Sequence, residues 1–398
     1  MKTRLAAACG IVLLALTGCA AIEPAAPPEP STAAGHGAIP GAQELAEPAL
    51  HLAAVDAAGI VHHLDLLDEH ESVLAEIEPI DELVSDGRYL FGIRDGSVTV
   101  IDSGVWTRSH GDHFHYYEAP ARVLGEIDGQ GRAAVVAGAS GIGIRFDDEA
   151  VLVEAAALGE GEIVESFRID IAPHTGFVVP LAEGAAVTEP DDTGAVRSLR
   201  MVDADGAPQD SVPCEAAAGT IATVVGTVVG CSDAALLAVD GDPAAWERIA
   251  YPTDAVAPAT SFAAREGRPT VAAVAGDSGI WLLDTRERSW SHVELGEQVI
   301  RVGAVDDDAG RVLALTATGA VLVIAEGEVI ARTEPLVAAS LADPETAAGV
   351  AFVIDQHRAY LNGPAEKAMW EIDPADDARI SRTFPAETEP VHFAGTGR

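Results

Sequence analysis

Eight times along the chain the same pattern returns: a short apolar strand, a turn with Gly, Asp or Asn, and a second strand ending near an acidic residue. It reads LAAVDAAGIVHHLD from Leu52, YLFGIRDGSVTVID from Tyr89, AAVVAGASGIGIRFD from Ala133 and AAVTEPDDTGAVRSLRMVD from Ala185. It continues as TVVGCSDAALLAVD from Thr227, VAAVAGDSGIWLLD from Val271, VLALTATGAVLVIAEG from Val312 and AYLNGPAEKAMWEID from Ala359. Successive starts lie 37, 44, 52, 42, 44, 41 and 47 residues apart, so each interval has room for four short strands. That is the period of a propeller blade. A blade is apolar on both faces because its neighbours sandwich it, which suits 48% hydrophobic residues with few helical stretches. The fold class is therefore all-β, a β-propeller of eight blades, or seven if the weak first or fourth repeat is miscounted. A two-sheet sandwich would not explain the even spacing. The propeller is expected to span residues 48–398 as one monomeric domain, with VHFAGTGR at Val391 to Arg398 supplying the inner strand of the blade begun at Leu50.

Lys2 and Arg4 precede an apolar run from Leu5 to Leu16, too short to cross a bilayer, so residues 1–18 read as a signal peptide. The run ends in Leu16-Thr17-Gly18-Cys19, which resembles a bacterial lipobox and makes Cys19 the lipidation site of an exported lipoprotein on the outer face of the cell membrane. No other stretch is long enough for a membrane helix, so contact with the membrane is expected through the lipid alone. Residues 19–47 are rich in Ala, Pro and Glu and read as an extended tether, with His36 an isolated histidine within it.

Cys9 leaves with the signal and Cys19 takes the lipid, so Cys214 and Cys231 remain in the folded region of an exported chain. A disulfide between them is the first expectation; a pair of thiolate metal ligands is the alternative, with no second Cys pair to complete a knuckle. Acidic residues outnumber basic ones 63 to 24, a net charge of −39, which argues against nucleic acid or an anionic membrane surface and favours cations. A dispersed acidic surface is equally a route to solubility.

SHGDHFHYYEAP, Ser109 to Pro120, concentrates three histidines and an aspartate within six residues. In extended backbone His113 and His115 project to one side with Phe114 facing away, so two imidazoles converge without a special turn. SVTVID and VWTR read as outer strands of one blade and ARVLGEID, from Ala121, as the inner strand of the next. His174, in IAPHTGFVVPL, opens an inner strand one blade later, so His113, His115 and His174 are expected at one point. Neutral imidazoles and a carboxylate suit zinc in a tetrahedral set. Asp112 is either a direct ligand or an orienting group, a role open also to Tyr116 and Tyr117, and His110 is either a fourth ligand or an entry handle. The competing reading is a polar loop of solvated histidines. His62 and His63 face opposite sides of one strand and read as structural; His392 is a reserve ligand, and His51, His70, His292 and His357 read as surface residues.

The string HGDHFHYY at His110 to Tyr117, APHTGFVVPLAEG at Ala172 to Gly184, and the two cysteines with VVGCSDAALLAVD resemble the AztD family. These are periplasmic zinc metallochaperones, exported β-propellers that pass zinc to the solute-binding protein of a zinc-importing ABC transporter. The resemblance implies Zn²⁺ as cargo and that solute-binding protein as partner, and actinobacterial members are often lipoproteins. Two departures stand out. His174 is followed by Thr175 where relatives commonly carry a second histidine, and Ala218 stands where a Cys-Pro-Gly-x-His-Gly string would place one. The site here has therefore either lost or rearranged a donor. The rival classes are a lipid-tethered scaffold with no working metal site and, more remotely, a propeller enzyme, although no Walker string, Gly-x-Ser-x-Gly elbow or dinucleotide fingerprint is present. The expectation is a protein that is not an enzyme.

Overall fold

The second and third strands of each repeat are the most apolar, and they occupy the middle of each sheet in the computed structural model, which describes residues 39–111, 113–239, 245–253 and 257–398. Ser97–Asp102, Val321–Ala325 and Ala359–Gly363 are buried along their whole length. Outer strands such as Glu71–Glu76 and Glu328–Arg332 are largely exposed. Among the described residues the strands form eight four-stranded antiparallel sheets and one three-stranded sheet. Ile39–Arg398 forms one unit of the chain; the other, Met1–Ala38, lies outside the described residues, and with it the signal peptide, Cys19 and His36.

Each sheet packs on the next through an apolar seam. Phe91 and Val98 of the Tyr89–Asp102 hairpin meet Ile142, Ile144 and Phe146 of the following sheet. Val187 and Ala185 meet Ala150 and Leu152 of the preceding sheet, while Leu199 and Val179 meet Val229 and Leu236. Further seams carry the series around to Tyr360, Met369 and Phe384, which close on Leu52, Leu64 and Phe393. A continuous ring of seams is what a propeller requires, since each sheet can hide both faces only between two neighbours.

The innermost strands converge on an axial channel of about 560 Å³, lined by Leu83, Ala137, Ile221, Ala264, Phe352 and Phe393 from six of the sheets. The ring closes where His392–Thr396 pairs antiparallel with His51–Val55, Leu52 opposite Gly395. His63 reinforces the closure, its Nε2 2.8 Å from the Thr396 hydroxyl. Cys214 and Cys231 form a disulfide, buried in the seam beside Leu199 and Val229.

Three expectations are corrected. Val105–Ser109 is not a blade strand: it forms a hairpin with Phe114–Glu118 that is inserted between the third and fourth strands of its sheet. Arg122–Asp128 is the outermost strand of that same sheet, paired with Ser97–Asp102, and not the inner strand of the next. The tether reading also overran, because Gln43–Leu45 pairs with Phe114–Glu118 and completes the three-stranded side sheet. An extended segment rich in turn formers can still join a ladder where an unpaired edge offers hydrogen bonds.

Candidate metal centre

The tip of the inserted hairpin is a tight turn in which the His110 amide donates to the His113 carbonyl at 2.9 Å. Gly111 takes φ +89°, a conformation that costs a side-chain-bearing residue and not glycine. Asp112 lies outside the described residues. The turn brings three imidazoles together: one ring nitrogen each from His110, His113 and His115 lies within 4.8 Å of the others. The Nε2 atoms of His113 and His115 are 2.9 Å apart. Two imidazoles on a tetrahedral zinc ion, each at about 2.0–2.1 Å, stand roughly 3.3 Å apart, so this pair opens onto an ion with little movement.

Strand register builds the wall behind these nitrogens. Directly opposed residues share a face, so Arg108 lies beside His115, and Trp106 and Glu44 flank Tyr117. His115 is 5% exposed, whereas His110 and His113 are open to solvent. Glu44 Oε1 lies 2.5 Å from His115 Nδ1. A carboxylate on Nδ1 fixes the ring orientation and leaves Nε2 with a lone pair aimed at the other histidines, the carboxylate–histidine relay that supports metal ligands. Tyr117 is fully buried, its ring stacked 6.2 Å from His115 on one side and 5.2 Å from Trp106 on the other. Phe114 faces away and is 59% exposed.

Glu44 was not legible in the sequence. It lies 71 residues from His115 in a span with the composition of a tether, and only the pairing of Gln43–Leu45 brings it in. Glu44→Gln is expected to weaken zinc binding about 10–100-fold while leaving the fold intact, measured by competition against a zinc chelator dye. An unchanged affinity would mean that the carboxylate does not support the ligand.

His174 does not join the group, which corrects the sequence expectation. It precedes Val178–Leu181, the innermost strand two sheets further along the ring, and both ring nitrogens are engaged there. Nδ1 lies 2.7 Å from the Ala172 carbonyl and Nε2 2.8 Å from the Thr188 hydroxyl, while Arg145 donates to the His174 carbonyl at 2.6 Å. Thr175 is exposed beside it, and Ala218 holds the Gly230 carbonyl through its amide at 2.9 Å. The physical reason is the insertion: the hairpin joins the third strand of its sheet to the fourth, at the end of the sheet where a first strand finishes, whereas His174 lies where a first strand starts.

The remaining histidines serve the fold. His62 turns to Glu71, at 3.0 Å, and His63 turns inward, as opposite faces require. His51 is not a simple surface residue, since its ring stacks on His63 at 4.3 Å. His292 packs on Trp281 at 4.7 Å and is also half-buried. His392 Nε2 lies 3.0 Å from the Ile80 carbonyl, and burial lowers the pKa of its imidazole. His70 and His357 are exposed.

Fold and site together define an all-β propeller with a histidine cluster, able to take a metal ion, on an inserted hairpin. No family profile and no curated protein matches the chain. Among solved structures the fold is AztD-like. The crystal structure of Citrobacter koseri AztD superposes with TM-score 0.76 at 20% identity, over 88% of this chain and 98% of that one. The apo AztD structure from the same organism gives 0.75 and 21% over the same shares. Chaetomium thermophilum Sqt1 bound to the N-terminus of ribosomal protein L10 is a more distant likeness, TM-score 0.51 and 15% identity over 78% of this chain and 89% of that one.

Proposed function

We propose that the protein is an exported, lipid-tethered zinc carrier of the AztD kind, non-catalytic, that delivers zinc to the solute-binding protein of an ABC importer. The observation that carries this reading is the convergence of the His110, His113 and His115 ring nitrogens within 4.8 Å, with Glu44 behind His115. Three neutral imidazoles select a borderline metal such as zinc over calcium or magnesium, which prefer oxygen donors. Two of the three ligands stand exposed at a hairpin tip, where a receiving protein can reach them without unfolding the donor. The likeness to AztD structures and the net charge of −39 support the same reading.

The test is zinc transfer. Zinc-loaded protein mixed with the metal-free solute-binding protein of a zinc importer should lose its metal to it faster than to an equal concentration of free chelator. Transfer no faster than dissociation into solution would reject the carrier role. In cells, Cys19→Ser is expected to move the protein from the membrane fraction to the soluble one with its fold unchanged. Undiminished recovery with membranes would reject the lipid anchor.

A further inference from the structure

A cavity of about 990 Å³ lies against the side sheet, bounded by Ile39–Ala42, the base of the inserted hairpin and the short helix Ala155–Glu160. Its charge runs against that of the chain. Acidic residues outnumber basic ones by more than two to one overall, yet among the described residues three arginines, Arg88, Arg108 and Arg122, face two acids here, Asp102 and Glu160.

The arginines are not equivalent. Arg88 is committed: its Nε and Nη2 donate to the two Asp102 carboxylate oxygens at 3.0 and 2.8 Å, and its guanidinium lies 3.8 Å over the Trp106 ring. That arrangement neutralises Asp102, which is 2% exposed, and makes a rigid wall of Arg88, Trp106 and Tyr117. Arg122 stands 3.9 Å from the Asp102 carboxylate, beyond hydrogen-bond reach, and is half-exposed. Arg108 makes no ion pair among the described residues, with its side chain at the cavity edge. Two guanidinium groups with unused donors therefore line one opening whose buried acid, Asp102, is already paired and whose other acid, Glu160, is exposed.

From this geometry we infer that the cavity binds a small polycarboxylate anion, with Arg108 and Arg122 as the charge-matched donors and the Arg88–Trp106 wall as the fixed surface. Guanidinium forks match carboxylates in paired hydrogen bonds, and two of them suit a ligand with two or more carboxylates better than a single charge. Small side chains leave the room: a Cβ placed on Gly159 or Gly41 meets nothing within 4 Å. Inside a field set by a net charge of −39, such binding depends on local contacts and not on general attraction.

The probe is citrate, titrated by calorimetry into metal-free protein at low ionic strength. Saturable binding is expected, weakened about tenfold or more by Arg108→Ala combined with Arg122→Ala, both exposed enough to be replaced without disturbing the fold. Gly159→Asp, which leaves the arginines in place and adds a negative charge to the cavity, should weaken it comparably. His113→Ala with His115→Ala should leave citrate binding unchanged, because this site does not rest on the zinc reading. Absence of citrate binding, or binding indifferent to both the arginine and the Gly159 changes, overturns the assignment. Inorganic phosphate binding as tightly as citrate would overturn the carboxylate preference.

Discussion

Replacing His113 and His115 together with alanine is expected to abolish stoichiometric zinc binding, and either change alone to weaken it about a hundredfold or more. The two Nε2 atoms stand 2.9 Å apart, so each imidazole supplies half of the tightest pair in the centre. His110→Ala should be milder, since that ring sits on the exposed tip with the freedom to leave the ion. The informative controls are His174→Ala, His62→Ala and Ala218→His, all expected to leave affinity unchanged because those positions belong to other parts of the ring. Equilibrium dialysis with metal quantitation measures all of them. One equivalent of zinc retained by the His113/His115 double variant would place the metal elsewhere, and a collapse of binding in His174→Ala would restore the axial histidine as a ligand.

Acid should destabilise the ring at its closure. Burial, and then the charge of neighbouring His51, push the pKa of the His63 imidazole down to about 3. An unfolded chain takes up that proton near pH 6.5, so between about 6.5 and 3 the unfolded state binds one proton more than the folded one. Stability contributed by neutral His63 is thus complete above pH 6.5 and lost progressively as pH falls. The loss grows as pH falls and amounts to a few kcal/mol, on the order of one per pH unit, across the window. His63→Gln keeps a polar group near the Thr396 hydroxyl without the titration, so its unfolding midpoint in urea should fall less steeply between pH 7 and pH 4. Parallel pH profiles for the two proteins would mean that His63 is not the group responsible.

The propeller was legible because its repeating signal comes from strands that are buried on both faces. Seven of the eight quoted repeats coincide with the second and third strands of a sheet, such as Tyr89–Arg94 with Ser97–Asp102, and the one from Ala133 covers the first and second, Ala134–Gly138 and Gly141–Arg145. Those strands can be nothing but apolar. The first and fourth strands carry weaker signals, one lining a channel and the other half-exposed, which is how Arg122–Asp128 came to be assigned to the wrong sheet. The histidine string was legible for a different reason, since its three histidines lie within six residues of one another in the sequence. What spacing could not reveal was anything assembled by insertion. Period counting treats Val105–Ser109 as one more blade strand, and that error carries His174 into the site and leaves Glu44 out. The cysteine pair needed no such inference, because its two members lie only 17 residues apart.

The ring is fastened by its two ends, His392–Thr396 against His51–Val55, and the His63–Thr396 bond spans 333 residues of chain. Seams between consecutive sheets can form as soon as each pair has been made, but the final one must wait for the most distant partners in the molecule. Until then Leu52 and Ala54 lie along an edge with unpaired amides, open to strand exchange with another copy. The contact with the greatest sequence separation carries the largest loop-closure entropy, so its formation is expected to be the slow step of folding. Removing the last seven residues should therefore yield not a slightly weakened propeller but one trapped open, prone to assemble edge to edge.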